Sequence, residues 1–462
     1  MNGGLNQVWS GACASDGTLL FGNFDRVLEY DGQTWRQIAV PNAAYVRGLA
    51  IDAAGTAWVA GVNELGRIDR GPDGRRTFTS LRALVPREAG DLGTLWQVHV
   101  TPQGIWFQGN TALLRWRDGK FDYWPTHEKG IVLSFWLGDH LLVALTRGWF
   151  KPREGGRWEE LGDPADKLGT YFPHFAIPHP RGGWLLGLEG DHGVVAGLGR
   201  WDGKKLTLEP HPLDEFFKAR RLYGGVRLAD GRYVLTTLQG GAVLLDRDLN
   251  FLAPLNEDTG LESSAAVSAT PDCHDAVWIG TEWGVSRVEL HPAYTWFGAA
   301  NGLRRHASPM LQRWQGRLLM SGADGLNRLE PPLALPGVAR FQRWSAIDDK
   351  IWAMRPAGDT LLVGALGGLW EIDARGTPRK VASVTNIFDV AVARASPDVA
   401  YTATLRAFLR WRRIAGEWRE VDRLPDVRGN SIGEDGDGRL WLGTDNQGVW
   451  RVEFPRTGSR WR

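Results

Sequence analysis

The chain has 462 residues, with 54 basic and 53 acidic side chains and a formal charge of +1. That balance sets up no global field for nucleic acid or anionic lipid, and no apolar run approaches the ~20 residues of a membrane span. Only two cysteines are present, Cys13 and Cys273, too few for a cysteine metal cluster, while 59 glycines and 24 tryptophans describe a turn-rich chain built on large apolar anchors.

Length alone suggests about three domains, but internal repetition overrides that reading. Residues 3–38 run G-G-L-N-Q-V-W, then L-L-F-G-N, then V-L-E-Y-D-G. Comparable units follow to about residue 80 and then through L-W-Q-V-H-V-T-P-Q-G-I-W-F-Q-G. A worn fourth unit spans residues 131–161. Residues 162–181 read as an irregular connector, since Pro164, Pro173, Pro178 and Pro180 preclude a continuous central strand. Residues 213–222 form the one good helical window, with Phe216 and Phe217 set to pack on a sheet edge. The later units are more regular, and 277–289 (V-W-I-G-T-E-W-G-V-S-R-V-E) nearly repeats the cleanest unit, 430–453.

In that cleanest unit, strands alternate on either side of Asp437-Gly438, read as a two-residue hairpin because glycine accepts positive φ. Aligned on Trp441, the chain yields Leu20, Trp58, Trp106, Leu142, Leu185, Val234, Trp278, Leu319, Leu362 and Tyr401, in steps of 36 to 49 residues. Four short strands per period of this length predict propeller blades. A helical repeat fails, because glycine and alternating β-formers fill the windows where 3.6-residue periodicity would have to be. The expected fold is all-β, a β-propeller of four-stranded blades with eleven repeats. The economical arrangement is a closed seven-bladed ring over residues 1–290 and four blades of a second, incomplete propeller over 291–462. The chain opens inside a repeat, with no charged n-region and h-region, and stops after a third strand, so a piece of something longer is expected.

Cys13 and Cys273 fall in repeats one and seven, neighbours if seven blades close. A disulfide would staple that ring; two buried free thiols are the expected state. Enzyme signatures are mostly missing. There is no G-x-S-x-G and no H-E-x-x-H, and Leu198 stands where a phosphate loop before Gly203-Lys204 needs its first glycine. His174 and His179 could pair on a metal, but solvated or hydrogen-bonded histidines explain them. Residues 434–438 hint at calcium but lack the oxygen-ligand spacing, and a turn accounts for them.

The positive signal is positional. Eleven residues before each anchor is the entry of the innermost strand, facing the central channel. Over seven repeats those positions read Trp9, Arg47, Leu95, Ile131, His174, Tyr223 and Val267, with Trp96 and Gln97 beside Leu95. Trp, Arg, His and Tyr at one level around an axis suit a pocket for a small ligand, and Arg47 suits a carboxylate or phosphate. The loops between second and third strands open on the same face and add Asn23, Asn63, Glu64, Gln239 and Glu282. The competing reading is that these groups only satisfy buried backbone and channel water.

The template Asp435, Gly438, Leu440 to Thr444, Gly448 and Arg451 resembles the two-component-regulator propeller repeat. Residues 3–36 are similar to the opening of one group of bacterial sensors that carry it. The resemblance covers the whole chain, strongest in repeats seven and eleven and weak in four and ten. It implies the extracytoplasmic, periplasmic sensor region of a signalling protein, followed in the family by modules that this chain does not contain. The implied function is ligand binding in the propeller channel without catalysis, and no cofactor. The implied partner is a small molecule (a sugar, sugar acid, nucleoside or amino-acid-like compound) together with downstream signalling domains. No nucleic-acid partner is expected, and a homodimer is compatible with the reading. The alternatives are a propeller lyase or glycosidase using His174, Glu64 or Glu282 as acid or base, and a protein-interaction scaffold.

Overall fold

The computed structural model describes residues 6–126, 133–145, 148–161, 171–190, 193–291, 294–303, 310–322 and 325–453. These residues form eleven antiparallel sheets, each built from consecutive strands. Each of the eleven aligned positions lies in the second strand of its own sheet. The repeat is therefore a propeller blade. Nine sheets have four strands; the seventh and eleventh have three among the described residues, against the four expected of every repeat.

Side-chain chemistry explains why the blade folds where it does. The turn ahead of the second strand is longer than the expected two-residue hairpin. The Asp435 N–H donates to Arg439 O (3.0 Å) and the Gly438 N–H to Asp435 O (3.1 Å), with Gly438 at φ 79°. Asp435 Oδ1 accepts from the Asp437 and Arg439 N–H groups, while Oδ2 accepts from Trp441 Nε1 at 3.1 Å. The same device joins Asp52 to Trp58 (2.9 Å) and Asp272 to Trp278 (3.3 Å). One carboxylate thus folds the turn and fixes the indole six residues on. These bonds give Asp435 the turn role expected of it.

Ten of the eleven anchors are buried, from Leu20 to Tyr401. Trp441 is 39% exposed, so the anchoring role expected of it is not fulfilled. No described sheet follows to cover that face. The core is a series of clusters between adjacent sheets, as expected for units that cannot bury their faces alone.

Two compact units are present, Met1–Thr295 with Ala334–Gly337, and Trp296–Leu333 with Val338–Arg462. In the first unit the seven first strands lie side by side in chain order: Ser10–Cys13, Val46–Ile51, Leu95–Thr101, Leu133–Trp136, Phe172–Pro178, Leu222–Arg227 and Ala266–Pro271. The last of these also lies beside the first. The Val8 N–H donates to Thr281 O (3.2 Å), and the Ser268 hydroxyl donates to Val8 O (3.1 Å). Trp278 packs against Phe21 and Tyr30, with ring centroids 5.5 Å apart in both pairs. In the second unit, four first strands lie side by side from Leu311–Trp314 to Gly429–Glu434.

Two expectations fail in the first unit. Cys13 and Cys273 are not free thiols but a disulfide, with Cα atoms 6.4 Å apart. Nor are they buried, Cys13 being half-buried and Cys273 exposed. Sheets one and seven bring the two within bonding reach despite a separation of 260 residues. The proline-rich connector is also shorter than expected. Residues 162–170 lie outside the described residues, but Phe172–Pro178 is a continuous first strand, tolerating Pro173 beside a bulge and Pro178 at its end. The expected helix is present as Asp214–Arg220, with Phe217 buried against Leu213 and Leu198.

Candidate functional site

The register of the first strands positions the site. In sheet two, Val46 pairs with Gly61 and Gly48 with Ala60, leaving Arg47 opposite nothing. The same slip isolates Trp96 in sheet three, His174 in five, Tyr223 in six and Val267 in seven. A bulge inserts one residue and re-aims its side chain. Here it does so at the same level of successive sheets. Trp9 stands just before the first strand of sheet one, its N–H donating to Gly22 O (3.1 Å).

These residues line one cavity of about 790 Å³, to which all seven first strands contribute. Trp9, Arg47, Trp96, His174 and Tyr223, drawn from five sheets, therefore meet as expected. In sheet three the cavity residue is Trp96 and not Leu95, which is fully buried. Ile131 lies outside the described residues. Gly48 is required for the strands to approach: a Cβ there would stand 2.9 Å from Gln97 Cα.

Asn23, Glu64, Gln239 and Glu282 do not line the cavity. Their loops open at the same end of their sheets but stand at least one strand, about 4.8 Å, further from the first strands. Asn23 and Glu64 are buried in local roles. Asn23 Nδ2 donates to Gln7 O, and Glu64 accepts from the Leu65 N–H (2.9 Å) and the Ser80 hydroxyl (2.7 Å). Asn63 Oδ1 likewise accepts from the Leu92 N–H. Gln239 and Glu282 are exposed. His174 and His179 do not form a metal pair. His174 bonds Glu189 in the cavity, while buried His179 bonds Glu209 (3.0 Å).

Arg47 is stacked. Its guanidinium lies 3.5 Å from the Trp9 ring centroid, 5.0 Å from that of Trp96 and 5.2 Å from that of Tyr45. Burial lowers its pKa, and the phenols of Tyr223 and Tyr45 oppose that shift. Burial raises the Tyr223 phenol, with Arg47 pulling it back. The Tyr223 and His174 ring centroids are 5.8 Å apart. His174 Nε2 lies 2.8 Å from Glu189 Oε2, and this bond holds the carboxyl below its usual range against the opposing effect of burial.

Sequence reasoning placed Gln97 beside this level but missed Glu189 and His99 as cavity residues. Glu189 ends a second strand and pairs with Phe172 across the sheet, so a scan of loops passes over it. His99 stands in the wall with a ring nitrogen 2.9 Å from Ser134 Oγ. Burial pushes its imidazole down to about 4, so it is neutral at pH 7. Among the described residues, four buried polar atoms of cavity-lining side chains have no hydrogen-bond partner: Trp9 Nε1, Ser10 Oγ, Arg47 Nε and Gln97 Oε1. Leaving such groups unmet costs about 1–3 kcal/mol each.

No protein-family model matches this chain, and no curated protein matches it. Solved structures do. The extracellular domain of the B. thetaiotaomicron protein BT3049, assigned to the hybrid two component systems, aligns at a TM-score of 0.51 and 13% identity, over 96% of this chain and 75% of that one. The corresponding domain of BT4673 from the same organism aligns at 0.47 and 14%, over 98% and 65%. An ancestral GH74 enzyme, AFV00434, aligns at 0.47 and 12%, over 100% and 76%. At such identities the likeness is one of fold.

Proposed function

We propose that this chain is the ligand-binding sensor part of a bacterial signalling protein, and that it holds a small organic molecule in the cavity of sheets one to seven without transforming it. One observation carries the reading. Arg47, Trp96, His174, Tyr223 and Val267, spread over more than two hundred residues, stand at bulges and line one cavity with Trp9, where buried donors and an acceptor stand without partners among the described residues. A pre-formed site of this kind binds without a large ordering cost. Sheets one to seven are the blades of a closed propeller over about residues 1–290, and residues 291–462 belong to a second. The signalling role rests on the repeat's resemblance to sensor propellers and on the fold shared with the extracellular domain of BT3049. Downstream signalling domains would then read the bound state. The Cys13–Cys273 bond supports an extracytoplasmic, oxidising location.

A second reading has its own observation. His174 and Glu189 form a hydrogen-bonded acid–base pair inside the cavity, the arrangement a lyase would need. A thermal-shift screen against sugars, sugar acids, nucleosides and amino acids, on the parent protein, Trp96→Ala and Tyr223→Ala, tests the binding reading. A compound that raises the melting temperature of the parent and not of the variants supports it. Stabilisation indifferent to both residues rejects it. Recovery of a hit chemically unchanged after long incubation separates sensor from enzyme.

A further inference from the structure

We propose, building on the cavity reading above, that the occupant is a small aromatic carboxylate, its anionic group held by Arg47 and its ring by the surrounding aromatic side chains. Charge comes first. Among the described residues, Arg47 has no carboxylate within ion-pair distance and faces only rings. The one acid lining the cavity, Glu189, is engaged by His174 at 2.8 Å. A guanidinium dressed in indoles and phenols keeps its charge and has lost much of its water. An arriving anion then recovers a charge-assisted bond that the free protein does not make.

Geometry narrows the group. Arg47 Nε is buried and unmet, and Trp9 Nε1 is unmet in the indole stacked 3.5 Å from the same guanidinium. A planar carboxylate can take guanidinium N–H groups through two oxygens while the Trp9 ring backs the other face of the cation. Gln97 Oε1 is an unmet acceptor and would receive a ring N–H or hydroxyl.

The rest of the wall selects the body of the ligand. Phe135, Phe172, Tyr223 and Trp96 supply flat faces, and Leu49, Val98, Ile177 and Val267 fill between them. A sugar would bring many hydroxyls to a wall with few groups to meet them, and each unmet hydroxyl is penalised. An aromatic ring needs faces and little else.

Isothermal titration of the whole chain with matched pairs tests this: benzoate and benzamide, nicotinate and nicotinamide, indole-3-acetate and indole-3-acetamide, and glucuronate with glucose. At least one aromatic acid should bind, with its amide weaker by about 10- to 100-fold, the range of a charge-assisted bond. Arg47→Gln should erase that difference, and Arg47→Lys should keep part of it. Three outcomes overturn the aromatic carboxylate: acid and amide binding equally, glucuronate binding above every aromatic acid, or no aromatic acid binding at roughly 10 mM. If glucuronate or an amide binds and Trp96→Ala or Tyr223→Phe weakens it, the cavity reading stands while the ligand class falls. If a bound compound ignores Arg47, Trp96 and Tyr223 alike, both fall.

Discussion

The guanidinium of Arg47 lies 3.5 Å from the Trp9 ring centroid, and the two residues come from adjacent sheets. A cation in a channel with no packing role could be removed without thermal cost. This one is part of the wall. A desolvated cation–π contact contributes about 1–2 kcal/mol, and Trp96 and Tyr45 add to it. Arg47→Ala is therefore expected to lower stability by about 1–2 kcal/mol in urea unfolding, besides any loss of binding. A variant as stable as the parent would show that the stack contributes nothing.

Trp278 and Trp441 occupy the same repeat position and bond equivalent aspartates, yet their surroundings differ. Trp278 is buried against Phe21, Tyr30 and Trp35, whereas Trp441 is 39% exposed. Trp278→Ala leaves a cavity and should cost about 3–5 kcal/mol. Trp441→Ala should cost well under half of that, since little apolar area returns to water. Thermal melts of the two variants side by side decide the matter, and equal losses would remove burial as the cause.

The repeat was legible because its signal is local. An aspartate six residues before an indole marks repeats two, seven and eleven, and the residue three before that indole is left-handed in each: Gly55, Asp275 and Gly438. Arg47, His174 and Tyr223 were legible because one offset from the anchor marks one level of their sheets. The bulge that re-aims them was not. A one-residue slip between Val46 and Gly48 leaves no residue type of its own, and in sheet three the count from the anchor fell on Leu95 instead of Trp96. The same slip isolates Trp352, Phe388 and Asn430 in the second unit, so it belongs to the repeat and not to the cavity alone. The disulfide was illegible for another reason. Whether residues 13 and 273 meet depends on how the sheets between them close, and no local pattern encodes that.

Cys13–Cys273 joins sheets one and seven across 260 residues. In the chain-entropy treatment a link of that span stabilises by about 5 kcal/mol, mainly by restricting the unfolded chain. The double variant Cys13→Ser, Cys273→Ser should unfold at markedly lower urea. A reductant should destabilise the parent towards the same midpoint and leave the double variant unchanged. Equal midpoints of parent and double variant, without reductant, would mean that hydrogen bonds and the Trp278 cluster close the sheets unaided.

The last expectation concerns pH and His99. Its imidazole is pushed by burial from about 6.5 to about 4 in the folded protein, while in the unfolded chain it titrates normally. Above pH 6.5 both states leave it neutral, and its contribution to stability is fully present. As pH falls from 6.5 towards 4, the unfolded chain takes up a proton that the folded chain refuses, so stability falls through that window. The full shift corresponds to about 3 kcal/mol, and less to the extent that cavity water reaches this partly covered ring. Glu189, whose folded pKa is held down by His174, acts in the same sense. Its stabilisation is present above the ordinary carboxylate range and is lost as pH falls through its lowered value. His99→Gln keeps a polar partner for Ser134 but cannot titrate. Urea midpoints of parent and variant, measured from pH 7 to pH 4, should therefore diverge, with the parent losing more stability. Parallel profiles would mean that the ring takes up its proton in the folded state as readily as in the unfolded one.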